Sequence, residues 1–432
     1  MLKRIIIGLA ALVVLGIVAI AALAWSVPIA PIRRPLPGSF APADVAQGAI
    51  LAAVGDCATC HTARRGAPLA GGLALPTAFG VIYSTNITPD PATGIGAWSE
   101  SAFRRAMHEG VARDGSQLFP AFPYDHFTLL SAADVHALYA YLMTRPPVHA
   151  PAKADGLPFP LDIRALQAGW KLLYFHAGRF KPSAAHDAQW NRGAYLVEAL
   201  AHCGACHTPR NALGAEKRDH AYAGAAIDGW FAPPLTAANP SPTPWTTTEL
   251  DAYLGSGLST LHGSAVGPMA SVVHEGLAKL SRTDLQAVVA YVETLGDGDS
   301  RAAATAPAIA KALAADRADV GATDDADARL YTAACASCHY NAGTVSNPDR
   351  PDLALNSALY LADPTNLIQV ILHGVSASEG VPGIVMPAFA GFSDADVARI
   401  AAYLRRTRTN LGPWPDLEKK VSAIRAQGPG ET

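Results

Sequence analysis

The sequence predicts a mainly α-helical protein in which three similar small domains follow an N-terminal transmembrane helix. A Cys-x-x-Cys-His phrase occurs three times in the 432 residues. Each copy lies between two stretches in which apolar residues recur at spacings of three and four, as on one buried face of a helix. Near the N-terminus, residues 5–25 form a run of 21 residues without a charge.

The uncharged run is long enough to cross the roughly 30 Å hydrocarbon core of a bilayer as a helix. The alternative is a cleaved signal peptide, because Ala22-Leu23-Ala24 resembles a cleavage site. We expect an uncleaved anchor over residues 1–25, followed by a proline-rich, extended spacer over residues 26–43. The net charge of −3 shows no basic bias, so we expect no nucleic-acid partner.

Each Cys-x-x-Cys-His phrase is typical of the covalent attachment of a c-type haem. The two thiols form thioethers to the haem vinyl groups, and the histidine supplies the proximal ligand of the iron. The cysteines are Cys57, Cys60, Cys203, Cys206, Cys335 and Cys338, and the histidines are His61, His207 and His339. Zinc would require paired Cys-x-x-Cys units at finger-like separation. A redox dithiol would not explain a histidine after every pair.

The chain around the phrases repeats three times. An opening helix is predicted before each phrase, a middle helix in each unit, and a closing helix that starts near an aspartate and a possible serine cap. The predicted opening helices are 44–57, 191–203 and 327–335; the middle helices are 101–110, 248–257 and 365–374; the closing helices are 134–142, 284–292 and 396–404. The predicted domains are 44–145, 188–296 and 327–410, with linkers 146–187 and 297–326 and a tail 411–432.

A six-coordinate haem needs a second axial ligand, and methionine in that place raises the reduction potential whereas histidine lowers it. Met386 precedes a proline in the loop before the third closing helix, and Met269 follows Gly267-Pro268 before the second. We predict that both methionines are sixth ligands. The alternative is that each sulfur only packs against apolar neighbours.

The first unit departs from this pattern. Phe122 stands where the methionine would stand, and phenylalanine cannot bind iron. His126 lies four residues further along the same loop, and we predict that it is the sixth ligand of a bis-histidine haem of lower potential. Met107 in the middle helix, or an open coordination site, are the alternatives.

Along nearly its whole length the chain resembles the membrane-bound triheme cytochrome c subunits of periplasmic dehydrogenase complexes. The resemblance rests on residues 57–64 and 203–210 (CATCHTAR and CGACHTPR), on residues 83–90 (YSTNITPD) and on Met386-Pro387. It implies three class I cytochrome c domains in tandem with three covalently bound haem c groups. It also implies that the haem domains face the periplasm and pass electrons from a catalytic dehydrogenase subunit to ubiquinone in the inner membrane or to another cytochrome.

The loop at residues 121–127 differs from the alcohol-oxidising type of this family. It is more similar to subunits that accompany molybdopterin and iron–sulfur dehydrogenases acting on aldehydes or N-heterocycles. The resemblance therefore implies a catalytic partner of the molybdopterin type, with an aldehyde as the favoured substrate, and a small iron–sulfur subunit.

Nothing in the sequence offers a dinucleotide-binding motif or a nucleophile with its base. We therefore expect an electron-transfer subunit that has no catalytic residues of its own. Two alternatives stay open. One is a peroxidase-like haem enzyme in which the first haem keeps an open site. The other is a periplasmic electron shuttle released by signal cleavage.

Overall fold

The computed structural model describes residues 4–8, 16, 24–319, 324–341, 350–376 and 386–428. Among these residues, no helix is both long enough and apolar enough to cross a membrane. The anchor predicted over residues 1–25 lies largely outside the described residues. The chain divides into two compact units, of which the first comprises Met1–Ser183 and Glu198–His202 and the second Ala184–Val197 and Cys203–Thr432.

The first unit is mainly helical and carries one hairpin. Its helices are α1 (Pro42–Val54), α2 (Glu100–Glu109), α3 (Ala132–Met143) and α4 (Gln167–Tyr174), with one-turn helices at Cys57–His61 and Tyr124–Phe127 and 3₁₀ turns at Pro37–Ser39 and Arg164–Leu166. Strands β1 (Ala74–Thr77) and β2 (Gly80–Tyr83) pair antiparallel, with Ala74 opposite Tyr83.

The second unit contains further helices and two short hairpins. Its helices are α5 (Ala188–Tyr195), α6 (Thr247–Ser256), α7 (Arg282–Gly296), α8 (Thr305–Asp319), α9 (Ala326–Ala334), α10 (Thr365–His373), α11 (Asp394–Arg408) and α12 (Leu417–Gln427), with one-turn helices at Gly204–His207, Pro268–Ser271 and Ala336–His339. The hairpins are β3 (Ala225–Ile227) with β4 (Trp230–Ala232), and β5 (Leu258–Ser259) with β6 (Gly263–Ser264).

Opening and closing helices cross at a glycine in the first two repeats. A Cβ atom at Gly48 would lie 2.0 Å from the carbonyl oxygen of Ala137, and one at Gly193 would lie 1.9 Å from that of Ala287. Since no methyl group fits at either distance, only glycine allows α1 to approach α3, and α5 to approach α7, this closely.

The second repeat reaches its phrase one residue later than the first. Gly48 precedes Cys57 by nine residues, whereas Gly193 precedes Cys203 by ten. A π-helical turn at Leu196–Leu200 absorbs the extra residue.

The three closing helices begin two residues earlier than predicted, immediately after a serine. Each serine hydroxyl accepts a hydrogen bond from the backbone N–H three residues on, which satisfies one donor of the helix N-terminus. The pairs are Ser131 with Asp134, Ser281 with Asp284, and Ser393 with Asp396. The serine caps predicted from the sequence are confirmed.

Two stretches for which no helix was predicted are helical. Residues 297–326, predicted as a linker, carry α8, and its Ala312 is only 1% exposed. The predicted tail, residues 411–432, carries α12, whose Val421 and Ile424 belong to the apolar core of the third repeat. Both helices are held by tertiary packing, which overrides weak local patterns. The predicted domain limits remain predictions.

Candidate haem-binding sites

Each Cys-x-x-Cys-His phrase coils into a helical turn. In helix Cys57–His61 the two cysteines lie three residues apart, so their sulfurs are on the same face. The second and third phrases likewise run through the one-turn helices Gly204–His207 and Ala336–His339. Two sulfurs on one face of a turn are suited to bonding a single porphyrin edge.

Two of these thiols lie in apolar surroundings. Burial, with a smaller contribution from the Asp56 carboxylate, raises the pKa of the Cys57 thiol to about 12. Burial and the neighbouring Cys338 raise the pKa of the Cys335 thiol to about 11. Both thiols are therefore held protonated in a setting that favours apolar contact over solvent.

The histidine of every phrase is oriented by a backbone carbonyl. The Nδ1 atom lies 2.6 Å from the Thr85 oxygen in His61, 2.7 Å from the Pro233 oxygen in His207, and 3.0 Å from the Pro351 oxygen in His339. Because a carbonyl can only accept, Nδ1 carries the hydrogen and Nε2 carries the lone pair. A metal-binding imidazole is typically fixed in this way, with its second nitrogen donating to a carbonyl.

Burial lowers the pKa of His61, of His207 and of His339 below the ordinary value, against the opposing effect of each carbonyl. The three imidazoles are therefore neutral at pH 7, which is the form that can bind a metal ion. The paired sulfurs, the fixed tautomer and the neutral ring together fit a c-type haem at each phrase.

The carbonyl groups that orient these histidines could not be predicted from the sequence. Asn86 shapes the first such loop, because its side-chain amide donates to the Val148 oxygen at 2.7 Å and its Oδ1 atom accepts from the N–H of Thr88 at 2.9 Å. Thr85, whose carbonyl faces His61, lies beside Asn86. A backbone carbonyl has no residue signature, so the run at residues 83–90 was the available signal.

One repeated hydrogen bond aligns the loops predicted to bring the sixth ligands. The N–H of Leu118 donates to the Gly110 oxygen at 2.8 Å, and the N–H of Ala265 donates to the Gly257 oxygen at 2.8 Å. Four residues after these donors stand Phe122 in the first repeat and Met269 in the second. The equivalent hydrogen bonds therefore support the alignment of Phe122 with Met269.

The loops around the two methionines are fixed at close range. A Cβ atom at Gly267 would lie 2.5 Å from the Trp230 ring, so the position two residues before Met269 must be glycine. In the third repeat Met386 forms a two-way backbone bridge with Val375, with N···O distances of 2.9 and 3.0 Å. Both methionine side chains are partly exposed.

His126 lies in the one-turn helix Tyr124–Phe127 and is 8% exposed. Its Nδ1 atom lies 2.7 Å from the carbonyl oxygen of Glu198, an arrangement like that of the phrase histidines. Its ring centroid lies 6.3 Å from that of His202. Met107, the alternative ligand, is 5% exposed within the apolar core.

Comparison with known proteins identifies relatives of this architecture. The family model described as cytochrome c matches residues 191–296 and 327–408. The fructose dehydrogenase cytochrome subunit of Gluconobacter japonicus is 39% identical over 86% of this chain and 80% of its own length. The gluconate 2-dehydrogenase cytochrome c subunit of Pantoea cypripedii is 37% identical over 88% of this chain and 89% of its own length.

A third relative is longer. A nicotinate dehydrogenase subunit of Pseudomonas putida is 45% identical over 409 residues, which are 94% of this chain but 34% of that protein. The chain therefore spans about a third of the length of this relative.

Proposed function

We propose that this chain, which belongs to the family of cytochrome c subunits of dehydrogenase complexes, is a triheme electron carrier at the periplasmic face of the inner membrane. In its family it is the electron-transfer subunit and not the catalytic one. One observation carries the number of haems. In three places a Cys-x-x-Cys-His turn ends in a histidine whose Nδ1 is bonded to a backbone carbonyl.

Each haem, when bound, supplies a one-electron iron couple, and the protein sets its potential through ligands and burial. The phrase cysteines would hold the porphyrins, and His61, His207 and His339 would be the proximal ligands. Met269 and Met386 would complete the second and third sites, and His126 the first. The hydrogen bonds to the backbone carbonyls keep the imidazole rings of the proximal histidines from turning, so little rearrangement would accompany electron transfer.

We further propose a catalytic partner of the molybdopterin type, with a small iron–sulfur subunit, that oxidises an aldehyde or an N-heterocycle. Two features support it: the Phe122 loop, and the identity of 45% to a protein named as a subunit of nicotinate dehydrogenase. The electrons would leave to ubiquinone or to another cytochrome. The N-terminal run of 21 uncharged residues supports the membrane location.

Haem stoichiometry tests the count. We expect three haems per purified full-length chain by the pyridine haemochrome assay, and two in the Cys335→Ala/Cys338→Ala variant. Ser337→Ala, inside the same turn, is the matched control and should retain three. Two haems in the wild-type chain, with no loss in the double variant, would exclude a haem at the third phrase.

Affinity purification from native membranes tests the partner. We expect a molybdopterin subunit and an iron–sulfur subunit to co-purify, and the cytochrome absorbance to show reduction after an aldehyde or an N-heterocyclic acid is added. Recovery of a flavin-dependent or quinoprotein dehydrogenase instead would contradict the partner type but leave the carrier role intact. Carbon monoxide binding to one haem in three at neutral pH would favour the peroxidase-like alternative.

A further inference from the structure

Lys171, on helix α4 of the first unit, points its side-chain amine toward the interior of that unit. The Nζ atom of Lys171 donates to the carbonyl oxygens of Glu109 and Gly110 at 2.6 and 2.7 Å, and to Oε1 of Gln117 at 2.7 Å. Those carbonyls end helix α2, where the negative end of the helix dipole attracts a cation. Lys171 therefore fixes one face of α4 against the domain.

The opposite face of α4 is apolar and open to solvent. Leu172 and Leu173 are 70% and 63% exposed. Gly169 lies three and four residues before them, so the three residues share the outer face, whereas Ala168 is buried on the inner one. A helix that turns its lysine inward and two leucines outward is not explained by the packing of its own domain.

The turn that leads into α4 adds to this surface. Phe159 is the most exposed of its apolar side chains, at 81%, and Leu161 and Ile163 are also exposed. We call the set Phe159, Leu161, Ile163, Leu172 and Leu173 the apolar segment. Grouped apolar exposure of this kind marks an interaction site rather than ordinary surface.

The apolar segment lies beside the end of the predicted anchor. Gln117 connects the two, because its Nε2 atom donates to the Ala24 oxygen at 3.2 Å while its Oε1 atom accepts from Lys171. Ala24 is the last residue but one of the uncharged run 5–25. One glutamine side chain therefore separates the end of the run from the helix that presents Leu172 and Leu173.

The residues that follow Ala24 are bound to the domain, although the sequence suggested an extended spacer. Arg105 donates to the Val27 oxygen at 2.6 Å, and Ile29 exchanges hydrogen bonds with Arg113, at 2.8 Å from its N–H and 3.1 Å to its oxygen. Trp25 is 77% exposed at the start of this stretch. Tryptophan is enriched at membrane–water interfaces.

We propose that the apolar segment rests in the interface of the lipid bilayer, beside the point where the anchor leaves it. The inference depends on the anchor assigned under the proposed function. Because Gln117 bridges Ala24 and Lys171, Leu172 and Leu173 would lie at the membrane surface, where the transfer of their side chains out of water is favourable. The first unit would then be held in one orientation, with its α4 side toward the layer in which a quinone dissolves.

Lipid-borne quenchers test this contact in the full-length haem-loaded protein. Since all six native cysteines lie in haem phrases, Leu173→Cys would provide a single free thiol for an environment-sensitive fluorophore. Leu213→Cys is the matched control, because Leu213 is an exposed leucine of the second unit, 52% exposed. Both variants are placed in nanodiscs of phosphatidylcholine and phosphatidylglycerol, with or without phosphatidylcholine carrying a nitroxide high on the acyl chain.

We expect the nitroxide lipid to quench the probe at position 173 several-fold more than the probe at position 213. Equal quenching in chains that co-elute with the nanodiscs would overturn the inference and leave the anchor in place. If the fluorophore at position 173 reports an apolar environment only after dehydrogenase subunits are added, the apolar segment contacts a protein surface. That result would also overturn the inference. Chains that fail to co-elute with nanodiscs would contradict the anchor, and this inference with it.

Discussion

His136 joins three helices of the first unit through its two ring nitrogens. It lies on α3, with Nδ1 at 3.0 Å from the Glu100 carboxylate on α2 and Nε2 at 3.5 Å from the Asp44 carboxylate on α1. The hydrogen bond to Glu100, helped by the charges of both carboxylates, outweighs partial burial and raises the pKa of His136. The protonated ring therefore draws the two carboxylate-bearing helices toward α3.

The sign of the pH dependence follows from the raised pKa. A group whose pKa is higher in the folded state stabilises the fold below its unfolded pKa, about 6.5 for histidine, and loses that contribution as the pH rises through the folded value. We expect the free energy of unfolding of the first unit to fall over this range by no more than about 1 kcal/mol, since the side chains are more than a third exposed.

Chemical denaturation of wild type and His136→Asn at a series of pH values measures this effect. The variant should lose the decline, whereas His176→Asn, at an exposed histidine, should retain it. A decline of the same size in His136→Asn would show that another group is responsible.

At the scale of helices, local signals account for what the sequence could predict. The closing helices carry a serine cap, an aspartate three residues on and a buried apolar stripe, and these features act within one turn. Helix α8 lacks such a stripe, because its sequence is dominated by alanine. Alanine favours a helix but does not indicate a partner, so only the fold shows what α8 packs against.

The candidate haem sites likewise have one part that the sequence predicts and one part that it does not. The phrase cysteines and histidines follow from residue type and spacing alone. The orientation of each histidine depends on a carbonyl that is 12 to 26 residues away and belongs to Thr85, Pro233 or Pro351. Such a contact is set by the path of the loop, and no side-chain pattern encodes it.

A buried ion pair attaches α8 to the third repeat. Arg408 on α11 and Asp316 on α8 are 1% and 2% exposed, and their Nη2 and Oδ1 atoms lie 3.5 Å apart. The carboxylate also accepts from the N–H of Asn341 at 3.0 Å, two residues after His339. The arginine also lies over the Tyr331 ring, 5.3 Å from its centroid.

We expect Asp316→Asn to lower the unfolding free energy of the third repeat by roughly 3–5 kcal/mol, because it removes the carboxylate of a buried ion pair. Hydrogen exchange of the α11 amides measures this locally. Lys420→Met is the matched control; it breaks the Lys420–Asp363 pair, which is more than a third exposed, and should cost no more than about 1 kcal/mol. Equal, small effects of both substitutions would show that the buried pair does not hold α8.

Over the whole molecule, the three repeats differ in the loop that is predicted to bring the sixth ligand. Equivalent backbone hydrogen bonds, Leu118 to Gly110 and Ala265 to Gly257, align two of these loops, and four residues after the donor one loop has Phe122 and the other Met269. The loss of the methionine at position 122 and the use of His126 as ligand would separate the haem potentials, since histidine in place of methionine lowers the potential.

A redox titration of the full-length protein should therefore resolve one haem of low potential and two of higher potential. His126→Met should raise the lowest component by on the order of 0.1 V, a fraction of the about 0.8 V that axial ligands span. The single variant His126→Ala should lose the sixth ligand of the first haem. Adding Phe122→Met should restore a six-coordinate spectrum, because the new sulfur stands at the position of the first repeat that corresponds to Met269 in the second. If the haem perturbed by His126→Ala were already the one of highest potential, His126 would not be the ligand that gives the chain its low-potential end.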